Sequence, residues 1–74
     1  MRIKIKLFAS LRQGRFDIAD RDFPDGSAIR DVLKEISVPE KEAHIIFING
    51  RHADPGSVLK EGDTLSVFPL IGGG

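Results

Sequence analysis

The chain has no cysteine, no tryptophan and no tyrosine, and its charges cancel. Without cysteine there is no disulfide staple, no thiolate metal site and no thiol nucleophile. A persulfide on this chain is therefore excluded, and any sulfur it handles is left with a chain end. Eleven basic residues balance eleven acidic ones, and no basic run interleaves with aromatics, so the footprint of nucleic-acid binding is missing. No apolar stretch approaches the ~20 residues that span a bilayer, and Met1-Arg2-Ile3-Lys4 opens a strand pattern rather than a signal peptide. These absences point to a soluble cytoplasmic protein that engages neither nucleic acid nor membrane. Its 74 residues allow one modest core, burying only about 60% of the surface exposed by the unfolded chain. With no material for a deep enclosed pocket, the chain reads as a substrate, a carrier or a subunit rather than a free-standing enzyme.

What is present begins with a clean alternation. Ile3, Ile5 and Leu7 share one face of a predicted strand and Arg2, Lys4 and Lys6 the other, with Phe8 on the Lys side. A second strand is expected from about Arg15 to Phe23. Phe16 and Ile18 share a parity that Phe23 does not, so a bulge or break around Ala19–Asp22 is predicted to bring all three to the core. Pro24-Asp25-Gly26 then turns the chain. Ser27 is a plausible N-cap for a helix to about Ile36, whose Ile29, Val32, Leu33 and Ile36 form one stripe. Arg30 stands where a capping box wants Glu, and Pro39 closes the helical region.

Ala43 to Asn49 contains the β-branched run Ile45-Ile46-Phe47-Ile48, a strand apolar on both faces. Asn49-Gly50 signals a tight turn into a short pairing at Arg51-His52-Ala53. Asp54-Pro55-Gly56 is another turn, and Ser57 to Lys60 is expected to make one helical turn. A last strand, Thr64 to Phe68, points Leu65 and Val67 inward, and Pro69 stops it. The order β-β-α-β-(β)-β fits an α+β fold with four to five strands in a mixed sheet on one main helix. With the helix as crossover, the first and last strands pair in parallel, the β-grasp arrangement. The domain is expected to cover residues 1–69, leaving 70–74 as a flexible tail.

The chemistry is expected in that tail. The glycines Gly72, Gly73 and Gly74 contribute nothing to packing and carry high conformational entropy. Without Cβ atoms, however, a backbone can thread a narrow channel and bring a carboxylate to the α-phosphate of ATP. Adenylation turns that carboxylate into a mixed anhydride that sulfide or a persulfide can attack. An extended segment from Pro69 to Gly74 reaches roughly 20 Å. A second feature follows from parity: Phe8 and Phe68 fall on the sheet face away from the helix, joined by one member of the Ile45–Ile48 run. An apolar cluster on an open face marks a partner surface. His44 and His52 lack neighbouring ligands and read as surface residues. No metal site and no general acid–base carboxylate pair emerges.

Phe8-Ala9-Ser10-Leu11-Arg12 after the first strand, Asn49-Gly50, Leu59-Lys60-Glu61-Gly62-Asp63, and Phe68-Pro69 shortly before Gly73-Gly74 resemble the MoaD/ThiS family of ubiquitin-like sulfur carriers. The resemblance spans nearly the whole chain, and the first segment is most similar to the small subunit of molybdopterin synthase. It implies a β-grasp, ubiquitin-like fold. It also implies that an E1-like enzyme consumes ATP to adenylate Gly74, that the product becomes a thiocarboxylate, and that no cofactor is held stably. The implied recipient is the large subunit of molybdopterin synthase or another sulfur-accepting enzyme, in thiazole synthesis, tRNA thiolation or amino-acid synthesis. A ubiquitin-like modifier is the alternative use of the same end. Carried over by position, Gly73 and Gly74 are the reactive tail, and Phe8, Phe68, Pro69, Leu70, Ile71 and Gly72 the partner interface. Pro69-Leu70 and Gly72 depart from the family, where many molybdopterin-branch members have two prolines and an alanine.

Overall fold

A computed structural model describes residues 1–70. Strand β1 (Arg2–Leu7) turns through a short 3-10 segment (Ala9–Arg12) into β2 (Ile18–Asp22). Helix α1 (Ile29–Glu35) crosses the sheet, and a second 3-10 turn (Glu40–Glu42) leads to β3 (Ile45–Ile48), β4 (Arg51–His52) and β5 (Thr64–Phe68). The strands lie in the order β2-β1-β5-β3-β4. β1 and β5 run parallel at the centre, while β1–β2, β3–β5 and β3–β4 are antiparallel. This is a ubiquitin-like β-grasp: a five-strand mixed sheet carrying one main helix.

The alternating pattern of β1 decides the core. Ile3, Ile5 and Leu7 are completely buried, as are Leu65 and Val67 on β5. Strand registry sets Ile5 beside Leu65 and Leu7 beside Val67, so the two central strands present one continuous apolar face. The helix stripe Ile29, Val32, Leu33 and Ile36 closes over it, with Leu11, Val38, Ile46 and Leu59 filling the margins. Among the described residues no side chain that is polar or charged is buried. No described helix is long and apolar enough to cross a membrane.

Three local expectations are corrected. The first is the bulge: β2 pairs with β1 in unbroken register, from Arg2 opposite Asp22 to Lys6 opposite Ile18. The strand keeps the parity of Phe23, so Ile18 faces outward and is 58% exposed. Phe16 precedes the strand and reaches the core margin from the loop, half-buried. The conflict in parity is thus resolved by where the strand starts, without an inserted residue.

The second concerns the helix start. Ala28, not Ser27, occupies the N-cap position. Asp31 accepts the Ala28 N–H at 2.9 Å, so a carboxylate one residue beyond Arg30 supplies the return bond of a capping box. The Ser27 hydroxyl instead donates to the Pro24 carbonyl at 2.7 Å. The third correction is linked to this start. The N–H groups of Ile29 and Arg30 donate to the Ser57 and Pro55 carbonyls at 2.9 and 2.8 Å, satisfying donors that a helix end leaves open. Ser57 to Lys60 is therefore extended, with Val58 bridged to Ala28. The expected helical turn is overridden by a tertiary ladder.

At the other end the helix stops before Pro39. Ser37 adopts φ +60°. Its N–H donates to Lys34 at 3.2 Å and that of Val38 to Leu33 at 2.9 Å, the paired bonds of a Schellman motif. Burial of both Val38 and Leu33 supplies the apolar contact that accompanies that motif.

Candidate functional site: an aromatic strip on the open face of the sheet

The residues that β1, β5 and β3 do not turn toward the helix form the opposite face. Phe8 follows β1 with its backbone still extended, and the chain then tightens into the Ala9–Arg12 turn. Burial of Leu11 anchors that turn. Anchoring swings the Arg12 guanidinium back over the strand end, where its Nε donates to the Leu7 carbonyl at 2.8 Å. The same Nε lies 3.6 Å from the Asp17 carboxylate, and the guanidinium carbon stands 5.4 Å from the centre of the Phe8 ring.

From Phe8 an aromatic strip runs across the sheet. Phe8 and Phe68 stack with centroids 4.1 Å apart and planes 11° from parallel. Phe68 meets Phe47 edge to face at 5.8 Å, and Phe47 contacts the His52 ring at 4.6 Å. Such arrangements match the preference of aromatic rings for offset or perpendicular contact. The strip depends on registry: β3 pairs Ile46 with Val67 and Phe47 with Ser66, which sends Ile46 inward and Phe47 outward. All three phenylalanines of the strip remain only half-buried.

The last described residues leave from this strip. The Phe68 carbonyl accepts the His44 N–H at 2.9 Å, Pro69 is buried, and Leu70 is 59% exposed. Of the interface residues expected from sequence, Phe8 and Phe68 are brought into direct contact, and Pro69 and Leu70 follow from the strip's edge. Ile71, Gly72, Gly73 and Gly74 lie outside the described residues.

Phe47, His52 and Arg12 belong to the strip but were not singled out for it. Phe47 was legible as the one outward aromatic of its run, given which parity of β3 faces in. His52 and Arg12 were not: their places depend on a hairpin and a turn that carry them back across the sheet. Among the described residues no His, Asp and Glu group could hold a metal ion. The depression beneath the helix C-terminus is open, lined by Leu33, Val38 and Pro39 and by Arg30 and Glu40, whose exposed side chains pair with each other at 3.2 Å. What this geometry offers is a contact surface next to the point where the C-terminal segment departs.

Comparison with known proteins agrees with the architecture. The sequence model of the ThiS family matches residues 5–74. A protein from Pyrococcus furiosus assigned as molybdopterin converting factor, subunit 1, is 31% identical, with 96% of this chain and 99% of that one covered at a TM-score of 0.74. Small archaeal modifier protein 1 of Haloferax volcanii superposes at a TM-score of 0.76 and 21% identity, over 95% of this chain and 98% of that one. A complex of subunits 1 and 2 of the molybdopterin-converting factor from Helicobacter pylori gives 0.66 at 22% identity, covering both chains fully. No curated protein matches the sequence.

Proposed function

The chain belongs to the ThiS family, and from that premise we propose that it carries sulfur as a thiocarboxylate on Gly74 for the synthesis of molybdopterin. The observation that carries the reading is the family match itself, which runs from β1 through Gly73 and Gly74. The identity to the Pyrococcus subunit over almost the full chain favours the molybdopterin branch. An E1-like enzyme supplies ATP, and the Gly74 carboxylate attacks its α-phosphorus, releasing pyrophosphate and leaving an acyl adenylate. Sulfide then displaces AMP and leaves the thiocarboxylate directly. An enzyme persulfide instead displaces AMP to give an acyl disulfide, from which a second thiol of the partner enzyme releases the thiocarboxylate by forming a disulfide with the persulfide-bearing cysteine. The sulfur then passes to the substrate of a second subunit as water restores the Gly74 carboxylate. The chain itself holds no cofactor and works in the cytoplasm.

Each part has a physical role. The absence of Cβ atoms at Gly72–Gly74 suits a narrow active-site channel. The aromatic strip gives a partner apolar surface to grip beside the root of that segment. Stacked, partly desolvated aromatics of this kind are enriched at interface centres.

Intact-mass measurement tests the reading. Incubation of the full chain with its native activating enzyme, ATP and a sulfur source is expected to replace one terminal oxygen by sulfur. A chain lacking Gly73 and Gly74 is expected to show no such change. If the wild-type terminus stays a plain carboxylate under these conditions, the proposal fails. Lysine-linked conjugates in cell extracts that disappear with the same deletion would point instead to protein modification.

A further inference from the structure

The β3–β4 hairpin turns on two residues, Asn49 and Gly50, because strand registry sets Ile48 opposite Arg51. Both have positive φ, +51° and +81°, as the tight primed turn that favours Asn-Gly requires. Turn chemistry accounts for this backbone but not for where the Asn49 side chain goes. Its Oδ1 accepts the Thr64 N–H at 2.9 Å, and its Nδ2 donates to the Asp63 carboxylate at 2.9 Å. The Asn49 N–H in turn donates to the Thr64 carbonyl at 2.9 Å. A side-chain amide thus carries the β3–β5 ladder one step past Ile48 and ties the hairpin tip to the start of β5. The other Asp63 carboxylate oxygen accepts the Lys60 N–H at 2.8 Å, which fixes the acceptor in place.

The same two residues are a reactive pair. In an Asn-Gly sequence the glycine backbone nitrogen can attack the side-chain carbonyl carbon of the asparagine. A new N–C bond forms as the glycine N–H gives up its proton, the bond from Cγ to Nδ2 breaks, and ammonia leaves, closing a succinimide. Water then opens either imide bond and yields aspartate or isoaspartate. Half of this reaction is unobstructed here. Gly50 is exposed, and its N–H makes no hydrogen bond among the described residues. Beyond its chain neighbours, no atom lies within 4 Å of where a Cβ would stand. The other half is held. Attack needs the carbonyl face turned toward the Gly50 nitrogen and a pyramidal carbon, and both displace an amide whose two ends are pinned to Thr64 and Asp63. The nucleophile is free and the electrophile is fastened.

We propose that Asn49 is a latched modification site, which loses ammonia to Gly50 only when its bonds to Asp63 and Thr64 open, and whose product cannot close them again. One-way behaviour follows from the same contacts. Aspartate at position 49 would set a second carboxylate where Nδ2 now meets Asp63, turning a charge-assisted bond into like-charge repulsion. Isoaspartate would add a methylene to the backbone of a turn whose dihedrals are tightly specified. Either product loosens the tie to β5. The site therefore records, on each chain, whether the hairpin tip has opened by local unfolding.

Ammonia loss from the full chain at mildly alkaline pH, followed by intact mass, tests this. Peptide mapping separates Asn49, the only asparagine, from Gln13, the only glutamine. Thr64 amide hydrogen exchange, read by NMR on parallel samples, reports whether the tie is closed. Urea-unfolded wild type sets the ceiling rate. Folded wild type is expected to react at least roughly tenfold more slowly, and Asp63→Ala, which keeps the reacting pair, roughly tenfold faster than folded wild type. Circular dichroism checks that this variant is folded. Wild type in urea below its unfolding transition repeats the test without a substitution, with ammonia loss and Thr64 exchange expected to rise together. In the reacted chain Thr64 is expected to stay fast-exchanging. Folded wild type matching the unfolded rate would overturn the proposal, as would folded Asp63→Ala matching wild type. Wild-type protection of Thr64 after reaction overturns the one-way step. Persistence of Asn49 in the unfolded chain would deny that it reacts at all.

Discussion

The two faces of the sheet come from the same strands, read at alternate residues, yet they answer to different demands. On the inner face Ile3, Ile5, Leu7, Leu65 and Val67 have no exposed surface. On the outer face Phe8, Phe47 and Phe68 form a strip that, among the described residues, no helix or further strand covers. Burial against the helix explains the first set completely. It explains nothing about the second, since a soluble fold needs no aromatic row on its open side. The difference separates residues kept for folding from residues available for contact.

The strongest way to break this division is at its inner side. Leu65→Ala removes a fully buried side chain between β1 and β3, and is expected to lower unfolding free energy by about 2–5 kcal/mol. Urea melts would measure it, and in so small a domain that loss is a large share of the whole. Binding of the activating enzyme should fall only as far as the folded fraction falls. Phe68→Ala should behave in the opposite way. Loss of the stack with Phe8 is expected to lower stability by about 1 kcal/mol, whereas affinity for the partner drops roughly thirtyfold or more. Equal binding by Phe68→Ala and wild type would remove the strip from the interface. The smallest effect is expected at Ile18→Thr, which should leave stability within about 0.5 kcal/mol of wild type because the residue is exposed. A loss of several kcal/mol there would restore the inward placement that the bulge required.

Much of this arrangement was legible along the chain. Alternation in Arg2–Leu7 and the spacing of Ile29, Val32, Leu33 and Ile36 are local patterns, and both faces of β1 followed from them. The limits Thr64–Phe68 were readable because Gly62 and Pro69 bracket a short run in which Leu65 and Val67 alternate with Thr64, Ser66 and Phe68. The errors fall where distant backbone groups intervene. Ser57–Lys60 had turn chemistry in front and helix-compatible residues within, but the Ser57 carbonyl accepts from Ile29 at the start of α1 and the Leu59 N–H donates to the Ser27 carbonyl. No local signal encodes that exchange. Phe16 and Ile18 misled for a related reason: parity identifies faces only after the strand's first residue is known.

The candidate site divides along the same line. Phe8 and Phe68 were reachable by counting parity from β1 and β5. The row that joins them to Phe47 and His52 required the pairing of β3 with β5 and β4. Arg12 was visible within a motif, but its place over Phe8 depends on a turn anchored by Leu11.

By itself the sequence determined the inward and outward sets on β1, the helical stripe, the absence of cysteine and the run of three glycines at 72–74. Each is a property of residue type or short-range spacing, and neither needs a neighbour from far away to be defined. Only the tertiary structure decided that β5 lies between β1 and β3, because strand order is a choice among long-range hydrogen-bond partners. That choice stacked Phe8 on Phe68 and placed the root of the C-terminal segment beside the strip.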